Sequence, residues 1–218
     1  MILKITNLGC SYSSGFSLRG ISLNLNSGEM LILKGKNGVG KTTLLRAIIG
    51  LIAINAGTIT IDGVDVTNEL DVKGEIFSYL GHLNGLKSHL TVSENLKLWF
   101  DIFGESNSNV LEEFGINNLI NKKVSECSSG QKRMIGLARV FNCPKRVLLL
   151  DEPMVGLDDT NKKRIQNKIE EHVKLGGSAI LVSHRSFPSN KTFSLKSSTI
   201  PTSSSLNEEK YLLANLMV

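Results

Sequence analysis

The sequence predicts an α/β fold with a mostly parallel sheet, an antiparallel portion at the N-terminus and a helical insertion. Three observations lead to this prediction. Residues 147–150 are a continuous apolar run, which is typical of a parallel strand that is buried on both faces. Residues 21–25 alternate between apolar and polar side chains, as a strand with one solvated face does. Residues 91–126 repeat apolar side chains at helical spacing.

Strand patterns recur along the chain. The first begins near residue 1, without the charged and apolar blocks of a secretory leader, so we expect no such leader. Asp62-Gly63, a dipeptide typical of hairpins and turns, is predicted to join the strands near 58–61 and 76–80. The predicted strands lie near residues 1–5, 21–25, 30–33, 58–61, 76–80, 147–150, 180–183 and 193–195.

Three helices are predicted from their periodicity and their ends. The apolar stretch at 44–54 contains Arg46 and is too short to span a membrane, so it is interpreted as a core helix. Thr91 and Glu94 have the spacing of a capping box and begin the helical insertion. A later helix is predicted from about residue 159 to 175, ended by Gly176-Gly177.

A glycine-rich segment between the strand at 30–33 and the helical pattern after it fits the phosphate-loop pattern G-x-x-x-x-G-K-[ST]. Glycines let the backbone approach an anion, the lysine adds a positive charge, and the hydroxyl after it is placed to meet Mg²⁺. The alternative is a plain glycine-rich turn between strand and helix, which the flanking patterns disfavour. The predicted nucleotide-binding residues are Gly35, Lys36, Asn37, Gly38, Val39, Gly40, Lys41, Thr42 and Thr43.

Asp151 and Glu152 follow the buried strand at 147–150. Ligands collect at the carboxyl ends of parallel strands, so these acids are expected beside the phosphate loop. We predict that Asp151 and Thr42 hold Mg²⁺ and that Glu152 is the general base for an attacking water. Alone, Asp-Glu-Pro could be a turn after a core strand; the pairing with Lys41 and Thr42 favours the catalytic interpretation.

Composition limits the classes of partner, cofactor and fold that the chain can have. With 218 residues and 41% hydrophobic content, the chain can bury a substantial core. The net charge of +5 is dispersed among acids, so no nucleic-acid partner is predicted, although the charge also suits an anionic membrane surface. Three cysteines without C-x-x-C spacing indicate reduced thiols rather than a disulfide framework or a metal site.

Residues 127–131 read Cys-Ser-Ser-Gly-Gln and precede a helical run. Here the sequence resembles the ATP-binding subunit of ABC transporters, whose signature usually reads Leu-Ser-Gly-Gly-Gln. The departures are Cys for Leu and Ser for the first Gly. The resemblance implies that Ser128, Ser129, Gly130 and Gln131 cap the γ-phosphate held by a second ATPase subunit, expected to be another copy of this chain. It implies ATP and Mg²⁺ as cofactors and a P-loop NTPase (ABC ATPase) core.

Two further positions match that family. Tyr12 corresponds to the aromatic residue that stacks on adenine, and His184 to the switch histidine that contacts the γ-phosphate. Each also has a structural interpretation, because a tyrosine ending a strand often only packs and a histidine there is often solvated. With Glu152 and Lys41, His184 completes the predicted catalytic set. Residues 155–158 match the loop that passes between subunits.

His82 narrows the resemblance, since most ABC ATPases carry Gln at that position. The pattern Gly-His-x-x-Gly-x-Lys-x-x-Leu-Thr-x-x-Glu-Asn-Leu from residue 81 is similar to the ATPases of the cytochrome c maturation system, also called heme exporter ATP-binding proteins. In that setting His82 is predicted to touch the nucleotide and is a further candidate Mg²⁺ ligand. An imidazole is shorter than a glutamine side chain and changes charge near neutral pH.

The resemblance implies an ABC ATP-binding domain over 1–185, with a helical subdomain at about 91–140 inserted in a RecA-like core, followed by a poorly patterned tail at 186–218. It implies an ATPase coupled to heme export or heme chaperone release, bound to integral membrane permease subunits of a cytochrome c maturation complex. The groove around residues 82–103 is predicted to receive the permease. The chain would then lie on the cytoplasmic face of the inner membrane, or on the mitochondrial matrix face. An ATPase of another transporter, a soluble ABC ATPase in cofactor assembly and a non-hydrolysing ATP-binding module remain alternatives.

Overall fold

The computed structural model of the chain describes residues 1–11, 17–103, 109–142, 145–183, 187 and 191–196. Within these residues the chain forms nine strands: β1 (Ile2–Ser11), β2 (Ser17–Asn26), β3 (Met30–Lys34), β4 (Ile54–Ile61), β5 (Val64–Asp65), β6 (Phe77–Leu80), β7 (Val147–Asp151), β8 (Ser178–Val182) and β9 (Lys191–Ser194). The described α-helices are α1 (Lys41–Ile48), α2 (Leu70–Ile76), α3 (Val92–Phe103), α4 (Val110–Glu113), α5 (Ser129–Asn142) and α6 (Asp159–Lys174).

Five strands form the parallel sheet that the apolar runs predict, in the order β6-β7-β8-β3-β9. Every residue of β7 and β8 is buried, because helices or the second sheet cover both faces. Successive side chains enter different cores: Val147 and Leu149 belong to the cluster that includes α1 and the antiparallel sheet, and Leu148 and Leu150 to the cluster that includes α5 and α6. The sheet therefore separates two hydrophobic cores.

The N-terminal strands form a separate antiparallel sheet in the order β2-β1-β4-β5. In β2, Ile21, Leu23 and Leu25 are buried and the residues between them are exposed, which is the predicted alternation. Asp62 and Gly63 have φ of 51° and 86° and form the tight connection between β4 and β5. This hairpin is a correction, because we predicted that Asp62-Gly63 joins the strand at 58–61 to the strand near 76–80.

Between β5 and β6 the chain inserts α2, which the sequence did not predict. Ile76 ends that helix and does not begin the strand. Leu70, Val72 and Ile76 are too few apolar side chains in seven residues to establish a helical period. Tertiary contact stabilises the helix instead: the Lys73 side chain is buried, and its amine donates to the carbonyl oxygen of Thr67 at 2.7 Å.

The helical insertion begins as predicted. The Thr91 N–H donates to the Glu94 carboxylate at 2.7 Å and the Glu94 N–H donates to the Thr91 hydroxyl at 3.1 Å, which is a reciprocal capping box at the start of α3. Helices α3, α4 and α5 contribute to the core cluster on one face of the parallel sheet. No described helix is both long enough and apolar enough to cross a membrane.

Near the C-terminus, β9 adds an edge strand to the parallel sheet beside β3. It lies inside the segment that the sequence analysis assigns to the tail. The Leu195 N–H donates to the Lys34 carbonyl oxygen at 2.8 Å, so this segment reaches the start of the glycine-rich loop. Residues 197–218 lie outside the described part of the chain.

Candidate functional site

The glycine-rich segment forms a loop between β3 and α1. Gly40 occupies the N-cap of α1 with φ of 101°, a left-handed conformation that glycine adopts at little cost. A Cβ on Gly35 would lie 2.7 Å from the Val39 side chain, so only glycine fits where the loop leaves β3. The N-terminus of α1 opens onto the loop, and its free N–H groups favour an anion there.

Lys41 lies at the start of α1 and is largely buried. Its amine donates to the carbonyl oxygens of Gly35 at 2.8 Å and Lys36 at 3.1 Å. Both acceptors belong to the loop, so the positive charge is held against the loop and does not extend into solvent. A phosphate bound there would meet this charge together with the backbone N–H groups.

Thr42 and Asp151 come together from distant parts of the sequence. The Thr42 hydroxyl donates to Asp151 Oδ2 at 2.6 Å, and Asp151 is only 3% exposed at the end of β7. Hydroxyl and carboxylate oxygens are the ligands that Mg²⁺ prefers, and Mg²⁺ ordinarily takes one or two protein oxygens and keeps several waters. The pair therefore fits a magnesium ion that also binds phosphate. Within the described residues no group of three or more His, Cys, Asp or Glu could hold a metal ion.

Glu152 follows β7 in a left-handed conformation with φ of 51°. Few residues other than glycine adopt this conformation, and it persists where the surroundings hold it. The Glu152 N–H donates to the Val182 carbonyl oxygen at the end of β8, at 2.9 Å. The backbone that carries the predicted base is therefore fixed by a neighbouring strand.

The Cys-Ser-Ser-Gly-Gln segment leads into α5. The Ser128 N–H donates to Gln131 Oε1 at 2.9 Å, and the Gln131 N–H donates to the Ser128 hydroxyl at 3.2 Å, which is a second reciprocal capping box. Ser128 and Ser129 are exposed. A Cβ on Gly130 would come within 2.9 Å of the Gly156 carbonyl oxygen, so the segment packs against the loop after Glu152. The result is a capped helix N-terminus with Ser128 and Ser129 exposed.

His82 lies beyond the end of β6, which pairs with β7 so that Leu80 is opposite Leu150. This register places the His82 segment beside Asp151 and Glu152. The His82 side chain is exposed and contributes to the lining of a large groove. It is therefore positioned between the strand ends and that groove.

The groove has a volume of about 1040 Å³ and runs between the C-terminal end of α1 and helix α2 on one side and the helical insertion on the other. Arg139 lines it, with its guanidinium 4.4 Å from the centre of the Trp99 ring, and burial lowers the pKa of Arg139 to about 10. The basic side chains along the groove outnumber the acidic ones, Asp71 and Glu75. The basic residues are Arg46, Lys73, Lys87, Lys132, Arg139 and Lys145.

Sequence reasoning missed Arg133, although the structure connects it to both strand ends. Its buried guanidinium donates to the carbonyl oxygens of Gly81, Asp151, Glu152 and Pro153. In the sequence, Arg133 follows Lys132 and looks like another solvated basic residue of a helix. One signal could have identified it, because Arg133 adjoins the buried apolar face of α5. A helix that packs on a sheet does not turn every basic residue to solvent.

The structure thus brings together Lys41, Thr42, Asp151 and Glu152, and it places His82 nearby and the Ser128 segment on the exposed end of α5. Two predicted site residues, Tyr12 and His184, lie outside the described residues. Their assignments remain predictions.

The sequence profile of the ABC transporter family matches residues 18–155. The cytochrome c biogenesis ATP-binding export protein CcmA of Paracoccus denitrificans is 36% identical over 184 residues, which cover 84% of this chain and 82% of that protein. The protein of the same name from Roseobacter denitrificans is 39% identical over 168 residues, covering 77% and 76%. That of Legionella pneumophila (strain Lens) is 35% identical over 194 residues, covering 87% and 96%.

Solved structures share the fold. A putative ABC transporter ATP-binding protein from Pyrococcus furiosus superposes with a TM-score of 0.76 at 28% identity, over 89% of this chain and 98% of that one. A dimeric ATP-binding cassette in a post-hydrolysis state, bound to ADP and Pi, matches with a TM-score of 0.75 at 22% identity, over 84% and 88%. At that identity the second likeness concerns the fold alone. The predicted α/β fold is confirmed.

Proposed function

This chain belongs to the ABC transporter family, among the cytochrome c biogenesis ATP-binding export proteins, and we propose that it is the ATP-hydrolysing subunit of an exporter that serves cytochrome c maturation. In this role ATP use supports heme export or the release of heme from its chaperone. The observation that carries the proposal is the phosphate loop with its Lys41 amine in place and its Thr42 hydroxyl bonded to Asp151.

The chain's own groups bind the nucleotide. Phosphate oxygens accept hydrogen bonds from the loop N–H groups and from the Lys41 amine, which has three donors and directs two of them to loop carbonyls. Thr42 and Asp151 would hold Mg²⁺, which would neutralise phosphate charge during the reaction. The hydrogen bonds from Lys41 to the loop and from Thr42 to Asp151 hold these groups close together, as the binding of one triphosphate requires.

Glu152 is the proposed general base. Its carboxylate takes a proton from a water as the water oxygen attacks the γ-phosphorus, and the bond from phosphorus to the β,γ-bridging oxygen breaks to give ADP and phosphate. Lys41 and the loop N–H groups stabilise the charge on the transferring group. His184 is proposed to donate to the γ-phosphate, and Tyr12 to stack on the adenine ring.

A second copy of the chain completes each site in this proposal. Ser128, Ser129, Gly130 and Gln131 begin α5 at an exposed helix N-terminus, whose N–H groups and partial positive charge suit a γ-phosphate presented by another subunit. Two copies that face each other head to tail would then enclose two nucleotides. ATP favours the pair and hydrolysis favours its separation, which supplies the motion for transport.

The groove beside His82 is the proposed site for the membrane permease. Leu83 is 55% exposed at the groove, which offers apolar contact, and the excess of basic over acidic side chains favours a segment that carries carboxylates. A short amphipathic helix with acidic residues fits both properties. The chain would then be a peripheral protein on the cytoplasmic face of the inner membrane, or on the matrix face in an organelle.

His82 is proposed to connect this groove to the hydrolysis site, through water or through the Mg²⁺ shell. Its position beyond β6, next to the Asp151 and Glu152 strand end and at the groove, supports the assignment. The test is His82→Ala, which is expected to reduce ATP turnover or the response of turnover to the permease. If ATP turnover and its response to the permease were both unchanged, His82 would have no role in the mechanism.

The whole proposal is tested by expressing the tagged chain in a host that carries cytochrome c maturation genes and isolating it in mild detergent. We expect Mg²⁺-dependent ATP hydrolysis that Lys41→Met abolishes, and an integral membrane subunit that co-purifies. ATP hydrolysis without any membrane partner would favour the soluble ATPase alternative. ATP binding without hydrolysis would favour the binding module.

A further inference from the structure

Arg133 is one side chain that holds three parts of the site. It lies on α5 with 5% of its surface exposed. Its guanidinium donates five hydrogen bonds, to Pro153 O at 3.2 Å, Gly81 O at 2.8 Å, Asn84 Oδ1 at 2.9 Å, Asp151 O at 2.6 Å and Glu152 O at 2.9 Å. Every acceptor lies on a segment other than α5.

Three of the acceptors are consecutive backbone carbonyls around the proposed base. Arg133 donates a hydrogen bond to the backbone carbonyl oxygen of each of Asp151, Glu152 and Pro153. Of these, Glu152 is the residue in the left-handed conformation. A conformation that few residues adopt needs surroundings that hold it. The guanidinium therefore fixes the peptide units on both sides of the Glu152 Cα.

The other two acceptors lie on either side of His82. Gly81 supplies its carbonyl oxygen and Asn84 its side-chain oxygen. Asn84 approaches α5 closely, since a Cβ on Gly136 would come within 2.9 Å of the Asn84 Cβ. The same guanidinium therefore holds both the His82 segment and the Glu152 backbone by hydrogen bonds.

Packing alone does not require an arginine here. Burial lowers the pKa of Arg133, while the charges of Asp151 and Glu152 act in the opposite direction. Keeping a charged guanidinium out of water at this site therefore costs free energy. An apolar side chain of similar volume could fill the same space, but it would leave the five acceptors without their donor. A planar fork with five donors, however, is the group that can hold several acceptors in one fixed geometry.

We propose that Arg133 is a positioning residue that couples the signature end of α5 to Glu152 and to the His82 segment of the same subunit. The inference rests on the proposed function, in which that end of α5 contacts ATP held by a second copy. When α5 binds the ATP held by the second copy, Arg133 transmits the movement of α5 to the backbone of Glu152. ATP bound at one site thereby positions the general base at the other site. Contact of the permease with the His82 segment affects the position of the same Glu152.

The test uses Arg133→Met, which removes all five donors at similar volume, and Arg133→Lys, which keeps the charge without the fork. Ile169→Ala is the matched control, because Ile169 is fully buried in α6 and away from these contacts, so it lowers stability by packing alone. For each protein the measurements are kcat, KM for ATP, the Hill coefficient for ATP and the thermal midpoint of unfolding.

We expect Arg133→Met to lower kcat by about 100-fold, as small misplacements of catalytic groups do, with little change in KM and a Hill coefficient that falls to one. Arg133→Lys recovers part of kcat. Ile169→Ala keeps the wild-type Hill coefficient at temperatures where it is folded. If Arg133→Met does not fold, Arg133→Lys alone is expected to show the same loss of cooperativity in milder form.

A wild-type Hill coefficient in the folded Arg133 variant, or the same loss in Ile169→Ala, overturns the coupling role. These outcomes differ from failure of the proposed function, in which the wild-type protein itself would not hydrolyse ATP.

Discussion

The hydroxyl of Thr42 donates to the carboxylate of Asp151 at 2.6 Å, across 109 residues of sequence. Thr42 lies in the first turn of α1 and Asp151 ends β7, so the bond joins the helix after the phosphate loop to the strand that immediately precedes the proposed base. The bond holds the two proposed magnesium ligands within reach of a single ion, although one comes from the helix after the loop and the other from a strand end.

Replacing Thr42 by Ala removes that bond and one of the two proposed magnesium ligands. We expect the Mg²⁺ concentration for half-maximal ATPase activity to rise roughly 10–100-fold. Thr42→Ser keeps the hydroxyl and is expected to stay close to wild type. Titration of the three proteins with Mg²⁺ at saturating ATP checks this, and an unchanged Mg²⁺ requirement in Thr42→Ala would move the ion away from this pair.

Gly130→Ala tests the signature end of α5. The new Cβ would lie 2.9 Å from the Gly156 carbonyl oxygen, so the backbone has to shift there. We expect steady-state ATPase activity to fall while the affinity of the phosphate loop for a fluorescent ATP analogue remains, because the change lies at the start of α5 and not in the phosphate loop. Equal losses of binding and turnover would indicate a folding defect rather than a lost subunit contact.

Leu83 and Leu175 offer a matched pair for the groove. Both are exposed, at 55% and 83%, but Leu83 lines the groove and Leu175 follows α6. Leu83→Glu is expected to weaken association with the membrane subunit by roughly tenfold or more, since it places a charge in an apolar contact. Leu175→Glu should retain association. Pull-down in detergent measures both, and equal behaviour of the two would place the permease elsewhere.

Glu94 gives a pH-dependent prediction. Hydrogen bonds from the Thr91 N–H and hydroxyl hold the pKa of Glu94 below its usual range. A carboxyl whose folded pKa is lowered contributes stability above its unfolded pKa of about 4.3, and the contribution is lost as pH falls through the folded value. Glu94→Gln keeps a capping side chain that does not titrate.

We therefore expect wild type to have the higher thermal midpoint at pH 7 and the difference from Glu94→Gln to shrink as pH falls below about 4.3. Glu112→Gln, at an exposed carboxyl on α4, is the control. A difference that stays constant with pH would show that the capping carboxylate does not stabilise α3.

The sequence predicted the family and most of the fold, and both are confirmed. Local chemistry explains this success: the loop glycines, the Thr91 capping box and the apolar run of β7 each specify their structure within a few residues. The recognition of the cytochrome c biogenesis group depended on His82 and its neighbours, and it too is confirmed.

What the sequence did not reveal depends on distant contacts. Helix α2 is too short to show a period and is stabilised by Lys73, whose acceptor, the Thr67 carbonyl, lies in the connection from β5. The Asp62-Gly63 turn was recognised, but its partner strand β5 has only two residues and leaves almost no pattern. Arg133 was missed because four of its five acceptors are backbone carbonyls from two other segments, and backbone carbonyls have no sequence signature.

The measurement that bears most directly on hydrolysis between two facing copies is made on Glu152→Gln with ATP and Mg²⁺. We expect turnover to fall by about 10²–10⁴-fold, because the general base is lost. Size-exclusion chromatography with light scattering should then find a stable dimer that retains one ATP per copy, while wild type returns to monomer after hydrolysis. Unchanged turnover, or a monomer that holds ATP without pairing, would contradict this mechanism.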